Sequence, residues 1–142
     1  MHVITLTVDD GNGGTDSDTL TITVVDTTPP TIADIAASPA VLWPANHRMV
    51  PVAVSVSASD NCTAVVPRIV SVSANEPANG LGDGDVAPDW AVTGDLTVDL
   101  RAERSGRGRG RVYSIFVQCT DAYENASDAT VLVTVPHDQT RR

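Results

Sequence analysis

Lysine is absent from this chain, and all nine basic residues are arginine. That bias reads as genomic composition rather than as function. Aromatic residues make up only 4%, so the apolar share of 42% is carried mainly by Val, Ala, Leu and Ile. Glutamate is scarce, three against fifteen aspartates. Asp suits turns, caps and oxygen-rich metal sites, whereas Glu is the helix former, so the acidic loops belong to a strand protein. No apolar run approaches the roughly 18 to 20 residues of a membrane helix, and membrane insertion is not expected. Met1-His2-Val3 leads straight into strand-like alternation with no basic or apolar leader, so any export signal lies outside these residues. Two cysteines, with no third or fourth, cannot build a thiolate zinc framework. The three histidines (His2, His47, His137) are scattered, and no serine sits in a Gly-x-Ser-x-Gly turn. With no helix there is no phosphate loop opening one. The chain is therefore not expected to be an enzyme, and a net charge of -9 argues against nucleic acid as a partner.

What is present is alternation at period two. VITLTV (3–8) and TLTITVV (19–25) flank a Gly/Asn/Asp cluster, the signature of a β-hairpin. Asp26-Thr27-Thr28-Pro29-Pro30 is a linker, because two prolines forbid helix and extend the chain. From residue 31 to 139 six or seven strands are expected, near 31–37, 49–58, 66–74, 88–93, 96–103, 111–119 and 128–135, with a tail at 140–142. In the second of these, Val50, Val52, Val54 and Val56 alternate with Pro51, Ala53, Ser55 and Ser57, one face buried and one wet. The fold class is all-β, an Ig-like antiparallel β-sandwich preceded by a hairpin.

The hairpin resembles the last two strands of a PKD-like or cadherin-like domain, and DTTPP resembles the linkers of tandem extracellular bacterial repeats. LWPANHRMVPV (42–52), SDNC (59–62), SVSANEPANGLGDGD (71–85), LTVDLRAERSGRGRGRVY (96–113), CTDAYENAS (119–127) and VTVPHDQ (133–139) resemble bacterial extracellular Ig-like or HYR-like modules. TDAYEN departs from the commoner TDASGN form of that turn. The resemblance implies a secreted or cell-surface structural or adhesive repeat, with neighbouring domains of the same chain as partners.

An Ig-like topology sorts loops by end. The linker end gathers Asp26, Asp60-Asn61-Cys62 and the Asp121–Asn125 turn. Calcium takes six to eight hard oxygens, which carboxylates from several loops supply; the alternative is that these residues only form Asx-turns. At the far end Glu76, Asp83, Asp85 and Asp89 either hold a second calcium or pair with Arg104 and its neighbours. Cys62 and Cys119 share the linker end, and a disulfide is the simplest outcome for a secreted sandwich; two free thiols or a shared metal are the alternatives. Trp43 and Trp90 either fill the core or form a platform for surface glycans, as in an accessory module of a secreted hydrolase. The Arg-Gly run at 104–111 reads as a tight solvated loop. The hairpin's open edges allow self-association by strand addition.

Overall fold

The computed structural model describes residues 1–78 and 87–138. Among them are nine strands and no helix: β1 (His2–Asp9), β2 (Thr15–Ile22), β3 (Thr31–Ser38), β4 (Met49–Ser59), β5 (Val66–Ala74), β6 (Trp90–Gly94), β7 (Thr97–Arg101), β8 (Gly110–Thr120) and β9 (Ala126–Pro136). The chain is all-β, in three antiparallel sheets ordered β1-β2, β3-β4-β7-β6 and β5-β8-β9. The second and third sheets face each other as a β-sandwich.

Alternation sets which side chains meet between the sheets. Val52 and Val54 of β4, Val98 and Leu100 of β7, Tyr113, Ile115 and Val117 of β8, and Val133 and Val135 of β9 form the core with Leu42. Fully burying one such aliphatic side chain contributes about 1.5 to 3 kcal/mol, so these positions carry most of the fold's stability. Past β3 the chain crosses to the other sheet. There Leu42 donates its amide to the Thr134 carbonyl at 2.8 Å, the Thr134 amide donates to the Ala40 carbonyl at 3.0 Å, and Val41 bridges Thr134 in parallel. The segment that follows β3 thus ties the edge of one sheet to β9 of the other.

The hairpin differs from the expected one in its second strand, which starts at Thr15 rather than residue 19. Asp10 explains this: its Oδ1 accepts the Asn12 and Gly14 amides at 2.8 and 2.9 Å, which tightens the turn enough for Asp9 to pair with Thr15. Those amides also hold the Asp10 carboxyl below the usual carboxylate range. Cross-strand partners place Ile4, Leu6, Val8, Leu20 and Ile22 on one hairpin face, and all five are exposed.

The Arg-Gly run is a turn that feeds β8. Gly110 sits at φ 110°, and a Cβ there would lie 2.7 Å from the Val135 carbonyl oxygen. Only glycine fits such a position without strain.

Candidate metal centre

Strand direction brings three segments to one end of the sandwich: the linker entering β3, the β4–β5 turn and the β8–β9 turn. Each contributes one aspartate. Asp26, Asp60 and Asp121 each offer a carboxylate oxygen, and these oxygens lie within 4.8 Å of one another. That span suits calcium, whose ligands sit at roughly 2.3 to 2.6 Å from the ion and hence up to about twice that apart. Among the described residues no other group of three or more His, Cys, Asp or Glu is so gathered.

The two oxygens of each carboxylate have different surroundings. One serves the local turn. Asp26 Oδ1 accepts the Thr28 amide at 2.9 Å, Asp60 Oδ2 accepts the Cys62 and Thr63 amides at 2.9 and 3.0 Å, and Asp121 Oδ1 accepts the Tyr123 and Asn125 amides at 2.8 and 2.9 Å. The other is left over. Asp26 Oδ2 and Asp60 Oδ1 are buried with no hydrogen-bond partner, and Asp121 Oδ2 accepts only from Asn125 Nδ2, at 2.7 Å. Asx-turn formation and cation ligation are thus compatible, since they use different oxygens. An orphaned buried carboxylate oxygen forfeits on the order of 1 to 3 kcal/mol or more of hydration, and Asp26 and Asp121 are each only 7% exposed. The donor set therefore fits a hard divalent cation. The Cys62 and Thr63 amides hold the Asp60 carboxyl below its ordinary range.

Asn125 also ties the linker to the turn, donating Nδ2 to the Asp26 carbonyl at 3.2 Å. Asn61 stays exposed and lines a shallow cleft with Asp60 and Thr28. Glu124 takes φ 67°, at the position where the resembled TDASGN turn has glycine.

Both cysteines are free thiols, so the expected Cys62–Cys119 disulfide is not formed. Cys119 occupies an inward position of β8 and is buried, whereas Cys62 is exposed in the β4–β5 turn. Desolvation first, then the Asp26, Asp60 and Asp121 charges, push the Cys62 thiol up. Burial, followed by the Asp128 charge, raises that of Cys119.

At the far end Glu76 and Asp89 serve an ion-pair network, and its centre is Arg111 rather than Arg104. Arg111 is fully buried. Its Nη1 donates to Asp89 Oδ2 at 2.8 Å, its Nε to Glu76 Oε2 at 3.3 Å, and its Nη2 lies 3.6 Å from Glu103 Oε1. Burial opposes the charge on Arg111, but the Tyr113 hydroxyl and the carboxylates outweigh it and hold the guanidinium charged. Arg101 braces the surroundings, donating to the Pro88 and His47 carbonyls. Among the described residues Arg104 Nη1 donates to the neighbouring Ser105 carbonyl, at 3.5 Å, and its Nε is buried without a partner. Asp83 and Asp85 lie outside the described residues.

The sequence does hold a signal for Arg111. Extending the alternation Tyr113, Ile115, Val117 back by two residues puts Arg111 on the inward face. Trp90 faces inward opposite Leu100 by the same logic, and its ring packs edge-on to Tyr113 at 6.3 Å. The two-tryptophan platform is thereby reduced to Trp43, which is 43% exposed.

No family model, curated protein or solved structure matches this chain. The linker-end carboxylates must therefore be weighed on their own chemistry.

Proposed function

We propose that this chain is a non-enzymatic, Ig-like structural or adhesive module of a secreted or cell-surface bacterial protein, with calcium bound at its linker end. The observation that carries the reading is the meeting of Asp26, Asp60 and Asp121 from three separate segments, two of them with buried oxygens lacking any partner. Three clustered carboxylates repel one another in the absence of a cation, and a divalent ion turns that repulsion into cohesion. Water and backbone carbonyls would complete the six to eight ligands calcium takes. Because Asp26 belongs to the linker, the ion would fix the preceding segment against the sandwich. The sheet order β3-β4-β7-β6 against β5-β8-β9 supports the Ig-like assignment, since it is the constant-type immunoglobulin order. The exposed apolar face and unpaired edges of the hairpin support joining to a neighbouring domain or a second copy.

Thermal unfolding in calcium against chelator, with metal content measured in parallel, tests the cation reading. A ligand at 100 times its Kd stabilises by about 2.7 kcal/mol, which for a domain of this size is a rise of about 10 °C. Asp60→Asn should abolish the rise. An equal midpoint in calcium and chelator, with no bound metal, would refute it.

A further inference from the structure

Three exposed arginines gather at the end of the sandwich opposite the linker. Arg107 and Arg109 lie in the β7–β8 turn, and Arg48 is fixed beside the end of β7 by the bond from the Ala102 amide to its carbonyl, at 2.8 Å. Among the described residues none of the three has an ion pair, whereas Arg68, exposed on β5, meets Asp95 at 3.6 Å. Glu76, Asp89 and Glu103 at this end face Arg111, and Asp138 faces His137. Val41 and Trp43, 53% and 43% exposed, lie on the segment leading into Arg48.

The hairpin has the opposite character. Its register sets Asp18 across from Leu6 and Asp16 across from Val8, so two carboxylates share the apolar face. Both are exposed. Each accepts the next amide along the chain, at 3.0 Å for Ser17 and 2.8 Å for Thr19, and among the described residues neither meets a cation. Asp9 and Asp10 extend the charge around the turn. Two such faces packed together would set four carboxylates against one another as they lose water, a costly arrangement. The face calls instead for a partner that is apolar and cationic at once.

We propose that the hairpin of one copy docks on the arginine-bearing end of a second copy, with Asp16 and Asp18 against Arg107, Arg109 and Arg48 and the apolar side chains against Val41 and Trp43. The inference rests on reading the hairpin as a joining element and names the surface that receives it. Charge complementarity selects this end, because it carries the exposed arginines that lack an ion pair among the described residues. The two surfaces differ and stand at opposite ends of the sandwich, so the contact is heterologous and copies add end to end. Arginine suits the role, since its planar fork pairs with a carboxylate through two parallel bonds.

Sedimentation velocity of the full chain over a concentration series tests this. Association should grow with concentration in about 0.01 M salt, where charges are felt over roughly 30 Å, and vanish in about 1 M salt, where they are felt over roughly 3 Å. Asp16→Arg with Asp18→Arg reverses one surface, and Arg107→Glu with Arg109→Glu reverses the other. Either variant alone sets like charges together, and its dissociation constant should rise at least roughly tenfold. An equimolar mixture of the two should associate again, as should one chain carrying all four substitutions, because opposite charges then meet at every joint. That recovery also shows that the variants are folded. If the parent associates but does so equally in 1 M salt, if either variant associates as well as the parent, or if the mixture and the fourfold variant both stay monomeric, this inference alone falls. A parent that is monomeric at every concentration in low salt takes the second-copy reading of the hairpin down with it.

Discussion

Replacing Arg111 by methionine should be among the most damaging single changes in the sandwich. The guanidinium is fully buried and, among the described residues, faces the carboxylates of Asp89 at 2.8 Å, Glu76 at 3.3 Å and Glu103 at 3.6 Å. Methionine preserves much of the packed stem and removes only the charge and its donors. Asp89 and Glu103, each with a side chain 1% exposed, are then left short of a counter-charge: the nearest remaining arginine, Arg101, stands 4.0 Å from Glu103, and His47 Nδ1, at 3.2 Å, is a cation only when protonated. Breaking a buried pair by removing one partner costs about 3 to 5 kcal/mol, so the denaturant midpoint should fall by that amount divided by the m-value. A pH signature accompanies the loss. A buried carboxylate without its cation has its folded pKa raised, so the folded state binds more protons than the unfolded one and stability falls as pH rises through the carboxylate range and above. Arg111→Met should therefore recover stability on acidification relative to the parent, and adding Asp89→Leu should restore part of the loss at neutral pH. Equilibrium urea unfolding from pH 4 to 8 measures all three effects. A cost below about 1 kcal/mol, or a loss independent of pH, would show that the network contributes no more than a surface ion pair and would refute the reasoning.

Other outcomes follow from single positions. Glu124 stands at φ 67°, where a side chain costs about 1 to 2 kcal/mol. Glu124→Gly should therefore raise stability by about 0.5 to 1 kcal/mol after the entropy of glycine is subtracted; a loss in calorimetry would show that the carboxylate has a partner in solution. Thiol titration should find two free thiols per chain in denaturant and one, Cys62, in the folded protein, since Cys119 is buried; no thiols in denaturant would mean that the pair is bonded. Sedimentation at rising concentration should show association that is lost when Leu6 and Leu20, both on the exposed hairpin face, become Thr. A strictly monomeric parent at high concentration would remove self-association from the proposal.

Much of the sandwich is legible in the sequence because period-two alternation is a direct consequence of one wet and one dry sheet face. Val50 to Val56 mark β4 without ambiguity, and the linker is marked by Pro29 and Pro30. The meeting of Asp26, Asp60 and Asp121 is legible too, because strand direction alone fixes which loops share an end. Phase within a strand was harder to use where chemistry argued otherwise. Arg111 has the phase of a core residue, yet it closes a run of Arg-Gly repeats that looks like a solvated loop; the Tyr113 hydroxyl and the carboxylates of Glu76, Asp89 and Glu103 are among the groups that make its burial tolerable, and those carboxylates come from β5–β6 and β7–β8 segments distant in sequence. Cys119 has the same inward phase, whereas Cys62 lies in a turn whose orientation no periodicity determines. Sharing an end did not bring the two sulfurs together.

The short crossing between β3 and β4 has a mechanical consequence. The linker enters the sandwich at the carboxylate end, and β9 leaves at the opposite end. Tension applied through both would pull the 40–42 segment and β9 past each other along their common direction. Their parallel bonds, Leu42 to Thr134 and Thr134 to Ala40, would be loaded together in shear rather than peeled one at a time. Resistance to traction is governed by the unfolding rate rather than by equilibrium stability, so a module of modest thermal stability with this seam can still serve as a stiff link in a chain under load.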